Sequence, residues 1–315
     1  MSSDLNQYLH PNFLEQSSEV LNLTFGIVGV GKLGTTLALE LYNKGLLSWL
    51  VVRNSTKRKE LQLAFQGIPI YDSLKHITKC TNVIFITVSD NQIEEVAVEV
   101  AQQFCEQLTG TLVIHCSGTL LASVLQPCEN WGAYGVAAHP FETFAYSNTR
   151  ALVGIAWGIE CLQEIEHSVH NIVRMLGGNP VTLGEFALAN KALYHISAVI
   201  SSNYLTSVLA IAKETAIQSQ IEPAVFLPPI IRTTVENSLM NIVNNGTPPL
   251  TGPISRGDVE VVTKHLQIPD QLPSLQRQYC YLGLATSEFA FNSNLIDNDT
   301  LDKLKTAFLG CLNKE

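Results

Sequence analysis

Between an apolar run, Leu23 to Val28, and a stretch with leucines at helical spacing lies the segment GIVGVGKLG, residues 26–34. Gly29, Gly31 and Gly34 form G-x-G-x-x-G. In that pattern the first glycine permits a tight turn, the second lets a pyrophosphate approach the backbone, and the third lets helix and strand pack closely. With Val30, Lys32 and Leu33 they offer backbone N–H groups and the positive end of a helix to phosphate oxygens. The strand–turn–helix setting makes this a dinucleotide site. The next apolar run, Leu47 to Val52, ends in Arg53, Asn54 and Ser55, with Arg58 just beyond. An NAD(H) site would carry Asp or Glu there, roughly 20 residues past the turn, to hold the ribose hydroxyls. Guanidinium and hydroxyl donors suit a 2′-phosphate instead, so the expected cofactor is NADP(H). The same basic strand end disfavours S-adenosylmethionine. A third loop, Val88-Ser89-Asp90, closes the run VIFITV and should meet the cofactor, since carboxyl ends of parallel strands border the ligand crevice. Ser89 and Gln92 also fit an S-x-x-Q capping box.

Four further segments carry polar residues that a core would not require: IHCSGTL (114–120), AAHPFETFA (137–145), NKALYHISAVISSNYL (190–205) and LTGPISRGD (250–258). On a helix running from Glu185, the residues Lys191, His195 and Ser202 fall within roughly 40° of one another. A carbonyl or imine reduced by hydride needs a proton donor at its heteroatom. His is readily tuned to neutral pH and Lys serves when desolvated, so His195 and Lys191 are the candidate catalytic residues. Ser202 and Asn203 stand beside them as candidate substrate contacts. His115 and Ser117 follow a strand and His139 ends another, so all three should face the crevice. Ser117 can equally cap a helix near Thr119. Arg256 can clamp a carboxylate, which points to a small, anionic substrate. Ser255 and Asp258 fit a helix start equally well. His167 and His170 lie on a solvated helix face, and no metal site is expected.

These residues need a scaffold of alternating strands and helices. Strand-like runs recur at Leu23–Val28, Leu47–Val52, Asn82–Val88, Thr111–His115, Tyr134–His139, Leu152–Glu160 and Pro180–Leu183. Helical patterns lie at Lys32–Lys44, Ile93–Gln107 and Leu162–Leu176. The fold class is α/β, a doubly wound, mostly parallel sheet, followed by an all-α C-terminal domain. One long helical pattern runs from Glu185 to about Gln218. Others follow at Pro223–Asn244, Asp258–Leu266, Leu275–Asn292 and Leu301–Leu312, punctuated by Pro228-Pro229, Pro248-Pro249, Pro253 and Pro273. The expected division is an N-terminal extension (1–20), an NADP-binding Rossmann domain (21–184) and a helical substrate and dimerisation domain (185–315).

The chain has 315 residues and a formal charge of −9, which argues against a nucleic-acid partner. Only 15% of residues are charged, below the usual ~25%, which suggests extensive buried surface including a subunit interface. The odd count of seven cysteines, with no C-x-x-C pair, fits reduced thiols in a cytoplasmic protein. The polar first twenty residues show no secretory signal. Ala192 to Ala212 is the most apolar long stretch, but His195, Ser201, Ser202 and Asn203 within it favour a buried helix over a membrane span.

The glycine turn, I-H-C-S-G, H-P-F-x-T-F, Y-H-x-S-A-V-x-x-S-N-Y and L-T-G-P-I-x-R-G-D-x-x-x-V-x-x-H-L together resemble a family of Rossmann-like NADP oxidoreductases with a helical C-terminal domain of unknown function. The resemblance spans about residues 22 to 285. The family is similar to pyrroline-carboxylate reductase, 3-hydroxyacid dehydrogenases, prephenate dehydrogenase and deazaflavin-dependent NADP oxidoreductases. The resemblance implies an N-terminal nucleotide domain, an all-α second domain and homodimers, but no particular substrate. Ser89 departs from the proline of many relatives. The 3-hydroxyacid dehydrogenases place a Lys on the corresponding helix, matched by Lys191, and an Asn one turn later, where this chain has His195. A His-Pro pair like His139-Pro140 borders the substrate in prephenate dehydrogenase. The resemblance thus implies an oxidoreductase acting on a small carbonyl, imine or hydroxyacid. A non-catalytic NADP(H)-binding sensor is the alternative that the same turn and basic strand end allow.

Overall fold

The computed structural model describes residues 23–144, 152–247, 249–268 and 272–313. The expected N-terminal extension, residues 1–20, lies outside the described residues, as does Pro248. The chain divides into two compact units, Met1–Ser202 and Asn203–Glu315.

In the first unit the strands are β1 (Phe25–Val28), β2 (Leu47–Val51), β3 (Ile70–Tyr71), β4 (Val83–Ile86), β5 (Leu112–His115), β6 (Tyr134–Pro140), β7 (Ala156–Glu160) and β8 (Asn179–Thr182). They form one sheet in the order β3-β2-β1-β4-β5-β6-β7-β8. All neighbours are parallel except β6 and β7, which pair antiparallel with His139 opposite Gly158. The helices between the strands are α1 (Lys32–Asn43), α2 (Ser55–Ala64), α3 (Ile93–Phe104), the single turn α4 (Gln126–Glu129) and α5 (Glu166–Met175).

Strand alternation sorts the core into two layers. Phe25, Ile27, Val83 and Phe85 face one side and pack with Leu37 and Leu41 of α1 and Val169 and Ile172 of α5. Val28, Ile84 and Ile86 face the other and pack with Val96, Val100 and Phe104 of α3. Both faces are covered, which explains why the central strands read as unbroken apolar runs. The sheet is the expected doubly wound Rossmann-like architecture.

The pattern from Glu185 to Gln218 is not one helix. Asn190 leaves helical geometry at φ −127° and ψ 42°, and its side chain donates to the Phe186 carbonyl at 2.8 Å. The break separates α6 (Glu185–Ala189) from α7 (Lys191–Val199). A π-helical turn, Ile200–Tyr204, then leads into α8 (Leu205–Gln218). By length and composition Lys191–Gln218 is apolar enough to cross a membrane, and none of the 18-residue apolar window within it is buried. The expectation that burial accounts for its apolar character therefore does not hold for the single chain.

The second unit contains α8, α9 (Pro223–Val243), α10 (Val259–His265), α11 (Pro273–Asn292) and α12 (Asn298–Leu312). Its small core joins Val262, Cys280, Leu304, Phe308 and Cys311. Pro228 and Pro229 lie inside α9 and do not end it. They sit within its first two turns, and the cost is the backbone bonds their missing N–H groups would make.

Candidate functional site

The glycine turn joins β1 to α1. Gly29 adopts φ +86°, and a Cβ there would lie 2.5 Å from Val88 Cγ1 and 2.9 Å from the Val88 nitrogen. A Cβ at Gly34 would strike the Gly29 carbonyl oxygen and stand 2.5 Å from Thr87 Oγ1. Thr87 itself donates to the Gly29 carbonyl, tying the turn to the end of β4. Gly31 differs from both: nothing among the described residues lies within 4 Å of its Cβ position. Two glycines are therefore required by packing and the third faces open space at the start of α1. That open cradle over backbone N–H groups fits a pyrophosphate.

At the end of β2 the exposed Arg53 guanidinium pairs with Glu99 of α3 at 2.7 Å. Asn54 caps α2, its Oδ1 accepting from the Lys57 N–H at 2.9 Å. Arg58 donates to the Val52 carbonyl at 3.0 Å, and Ser55 opens the helix. These donors fit a 2′-phosphate by charge, with Glu99 standing where it competes for Arg53. Past β4, Ser89 forms no capping box. Its hydroxyl donates to the side-chain oxygens of Asn91 and Gln92, at 2.7 and 3.0 Å. The Asp90 carboxylate accepts from Ser117 Oγ at 2.7 Å and Thr119 Oγ1 at 2.9 Å, linking the β4 loop to the β5 loop.

No helix begins near Thr119; Ser117 instead closes a turn, its Oγ accepting from the Thr119 and Leu120 N–H groups, both at 3.1 Å. His115 is fully buried, with Nδ1 3.2 Å from the Ser117 N–H and Nε2 3.1 Å from the Leu121 carbonyl. Desolvation lowers its pKa to about 4, and both ring nitrogens are occupied within the fold. The geometry gives His115 and Ser117 internal partners in place of the crevice contacts expected of them. Lys191 is buried too. Its ammonium pairs with Glu160 of β7 at 2.8 Å and donates to the Leu120 carbonyl.

Two imidazoles converge beside Gly118. A Cβ at Gly118 would lie 2.7 Å from His195 Nδ1 and 2.9 Å from His139 Nε2. The two rings are 5.6 Å apart between centroids. His195 Nδ1 is buried and has no hydrogen-bond partner among the described residues. His139 Nδ1 lies 3.1 Å from the Tyr194 hydroxyl, and both rings meet Phe141 edge-on. Burial lowers the His139 pKa to about 4, with the neighbouring His195 adding to the effect. Tyr194 was not among the expected site residues. Its signal lay in the Y-H dipeptide, which the 3.6-residue stripe of Lys191 and His195 does not include.

The rest of that stripe does not hold. The π-helical turn shifts the helical phase beyond Val199, and Ser202 Oγ donates to the Ala198 carbonyl at 2.7 Å. Asn203, exposed, begins the second unit. Arg256 also lies in that unit, exposed and paired with Asp258 at 2.9 Å. Asp258 precedes α10 without a side-chain cap. His170 of α5 bonds Thr182, His167 bonds Asn171, and no metal-ligand cluster occurs among the described residues.

A doubly wound sheet with a glycine turn at its first strand defines a Rossmann-like protein. Residues 14–140 match the description of a Rossmann-like domain, and residues 155–286 match a domain of unknown function (DUF2520). The two matches in succession, a Rossmann-like domain and then DUF2520, are the pairing that the chain's motifs resemble. A candidate NADP oxidoreductase from Bacteroides fragilis is 22% identical, with 85% of this chain and 99% of that one covered at a TM-score of 0.70. A pyrroline-5-carboxylate reductase from Coxiella burnetii is 13% identical, covering 92% and 97% at 0.54. A reductive aminase from Aspergillus terreus, solved with NADPH and ethyl levulinate, is 14% identical, covering 93% and 94% at 0.53. At these identities the likeness is one of fold. No curated protein matches the sequence.

Proposed function

We propose that the chain is an NADP(H)-dependent oxidoreductase acting on a small carbonyl, imine or hydroxyacid, with His195 moving the proton. The observation that carries the reading is the buried, unpartnered His195 Nδ1 beside Gly118, on the carboxyl side of the same sheet whose glycine turn opens over Gly31. The names of similar folds, which include reductases of carbon–nitrogen bonds and a complex with NADPH, agree with it. Bound NADP(H) supplies or accepts the hydride. Gly29, Gly31 and Gly34 with the backbone of Val30, Lys32 and Leu33 hold its pyrophosphate, and Arg53, Asn54, Ser55 and Arg58 hold its 2′-phosphate. The backbone of Val88, Ser89 and Asp90 borders the same crevice.

Of the two candidate proton carriers, Lys191 is the weaker, because its ammonium is already held by the Glu160 carboxylate and the Leu120 carbonyl. It instead fixes the start of α7, and with it His195. His195→Ala should lower turnover on the order of 10²-fold or more while leaving NADPH binding unchanged. Full activity in that variant on an identified substrate would reject the role. NADPH binding without oxidation by any carbonyl or imine would favour the sensor.

The helical region also supports a homodimer. Val225, Phe226, Ile230, Met240 and Val243 of α9 are each more than half exposed, far more apolar surface than an isolated helix in water leaves uncovered. A second copy of the chain is the proposed cover. Sedimentation at micromolar concentration should give twice the monomer mass of 34.5 kDa, and a monomer would refute it.

A further inference from the structure

We infer that Asp90 is a positioning residue: through Ser117 and Thr119 its carboxylate holds Gly118 against the His139 and His195 rings and closes the wall that keeps them from water. What those rings do rests on the oxidoreductase reading above. The brace itself rests on contacts within the first unit.

One oxygen of Asp90 takes two hydroxyls. Ser117 Oγ donates to Oδ2 at 2.7 Å, and Thr119 Oγ1 donates to it at 2.9 Å. Bonds to an ionised acceptor are roughly twice as strong as bonds between neutral groups. The two donors flank Gly118 in the loop after β5. Gly118 is buried, and a Cβ there would stand 2.7 Å from His195 Nδ1 and 2.8 Å from His139 Cε1. No side-chain carbon fits at such distances, so the bare backbone of Gly118 lies against both rings. Asp90 also follows Val88 and Ser89, whose backbone borders the nucleotide crevice in the reading above. One residue therefore joins that loop to the wall of the imidazole pair.

The carboxylate acts on His139 in two opposite senses. As a charge it favours the imidazolium form. As a brace it keeps the ring dry, and burial is the largest effect, lowering the pKa from 6.5 to about 4. His195 and Lys191 of α7 and His115 of β5 push in the same direction as burial. Charge and position are therefore separable by sign. Removing the charge alone lowers the His139 pKa further. Removing the brace admits water and raises it toward 6.5.

Histidine NMR titrations of the full chain from pH 8 to 5.5 test this. Wild-type His139 should stay neutral throughout. Asp90→Ala should raise its pKa by about one pH unit or more, so that protonation is visible by pH 5.5. Thr119→Val removes one of the two hydroxyls from an exposed position and should act in the same direction, less strongly. Asp90→Asn keeps an oxygen acceptor for both hydroxyls and drops the charge, so His139 should remain neutral. A ring that stays neutral in both Asp90→Ala and Thr119→Val, or that titrates in the wild type or in Asp90→Asn, overturns the brace. A second measurement approaches from the other side of the loop. Gly118→Ala drives a methyl onto the rings, and the loop can yield only where the brace is gone. Its loss of urea midpoint should be smaller in the Asp90→Ala background than in the wild type; equal losses overturn the proposal. Calorimetric titration of the wild type with NADPH shows separately whether the cofactor reading has failed, since neither the His139 titration nor the urea midpoint depends on it.

Discussion

Glu99 and Arg53 offer a perturbation whose sign can be worked out in advance. Their ion pair is 2.7 Å long, with side-chain exposures of 38% and 55%. Exposed pairs of this kind contribute about 0–1 kcal/mol. If the guanidinium turns to a 2′-phosphate on binding, Glu99 competes for it, and Glu99→Gln removes the competitor. NADPH should then bind up to about fivefold tighter, since 1.4 kcal/mol is a factor of ten. Arg53→Ala acts in the opposite sense. Losing a charge-assisted bond of about 1.5–3 kcal/mol weakens NADPH binding roughly 10- to 150-fold. NADH lacks the 2′-phosphate, so its Kd should change little in either variant. Calorimetric titrations of wild type and both variants with both cofactors, at one ionic strength near 0.1 M where such charges are still partly unscreened, measure all six constants. Equal shifts for NADPH and NADH, or weaker NADPH binding in Glu99→Gln, would refute the placement of the 2′-phosphate at Arg53.

Three other outcomes follow from the geometry. Gly34→Ala drives a methyl into the Gly29 carbonyl, which cannot yield without opening the turn, so NADPH binding should fall by at least tenfold; near-native affinity would contradict the packing. Lys191→Met strands the Glu160 carboxylate among buried groups and should destabilise the protein by about 3–5 kcal/mol, read as a lower urea midpoint. His115 and His139 have native pKa values near 4, below their unfolded value of 6.5. The unfolded chain therefore binds protons that the native one refuses, and stability present above pH 6.5 is lost as pH falls toward 4. Urea unfolding at pH 7, 5.5 and 4.5 should show that slope, and a flat profile would contradict two neutral buried imidazoles.

The central strands were legible because burial on both faces leaves unbroken apolar runs such as VIFITV, and the glycine turn because each glycine answers a local demand. α2 was not legible: it buries only Leu61, so its sequence reads as a basic turn. The break at Asn190 and the π-helical turn were hidden by a continuous apolar pattern. His195 and His139 were picked out by residue type. That they meet across Gly118, while His115 and Lys191 have internal partners, depends on contacts between segments far apart in the chain. Glu160 lies on β7 and Leu120 beyond β5, and no periodicity reports their approach to Lys191. The sequence offers Asp90 to the cofactor through its backbone alone; that its carboxylate braces Ser117 and Thr119 depends on the approach of the β5 loop.

Calorimetric titration of the purified chain with NADPH and NADH tests the central claim most directly. The open cradle at Gly31 and the basic end of β2 require saturable uptake of one NADPH per chain, tighter than NADH. No heat of binding with either nucleotide, or a preference for NADH, would contradict the account.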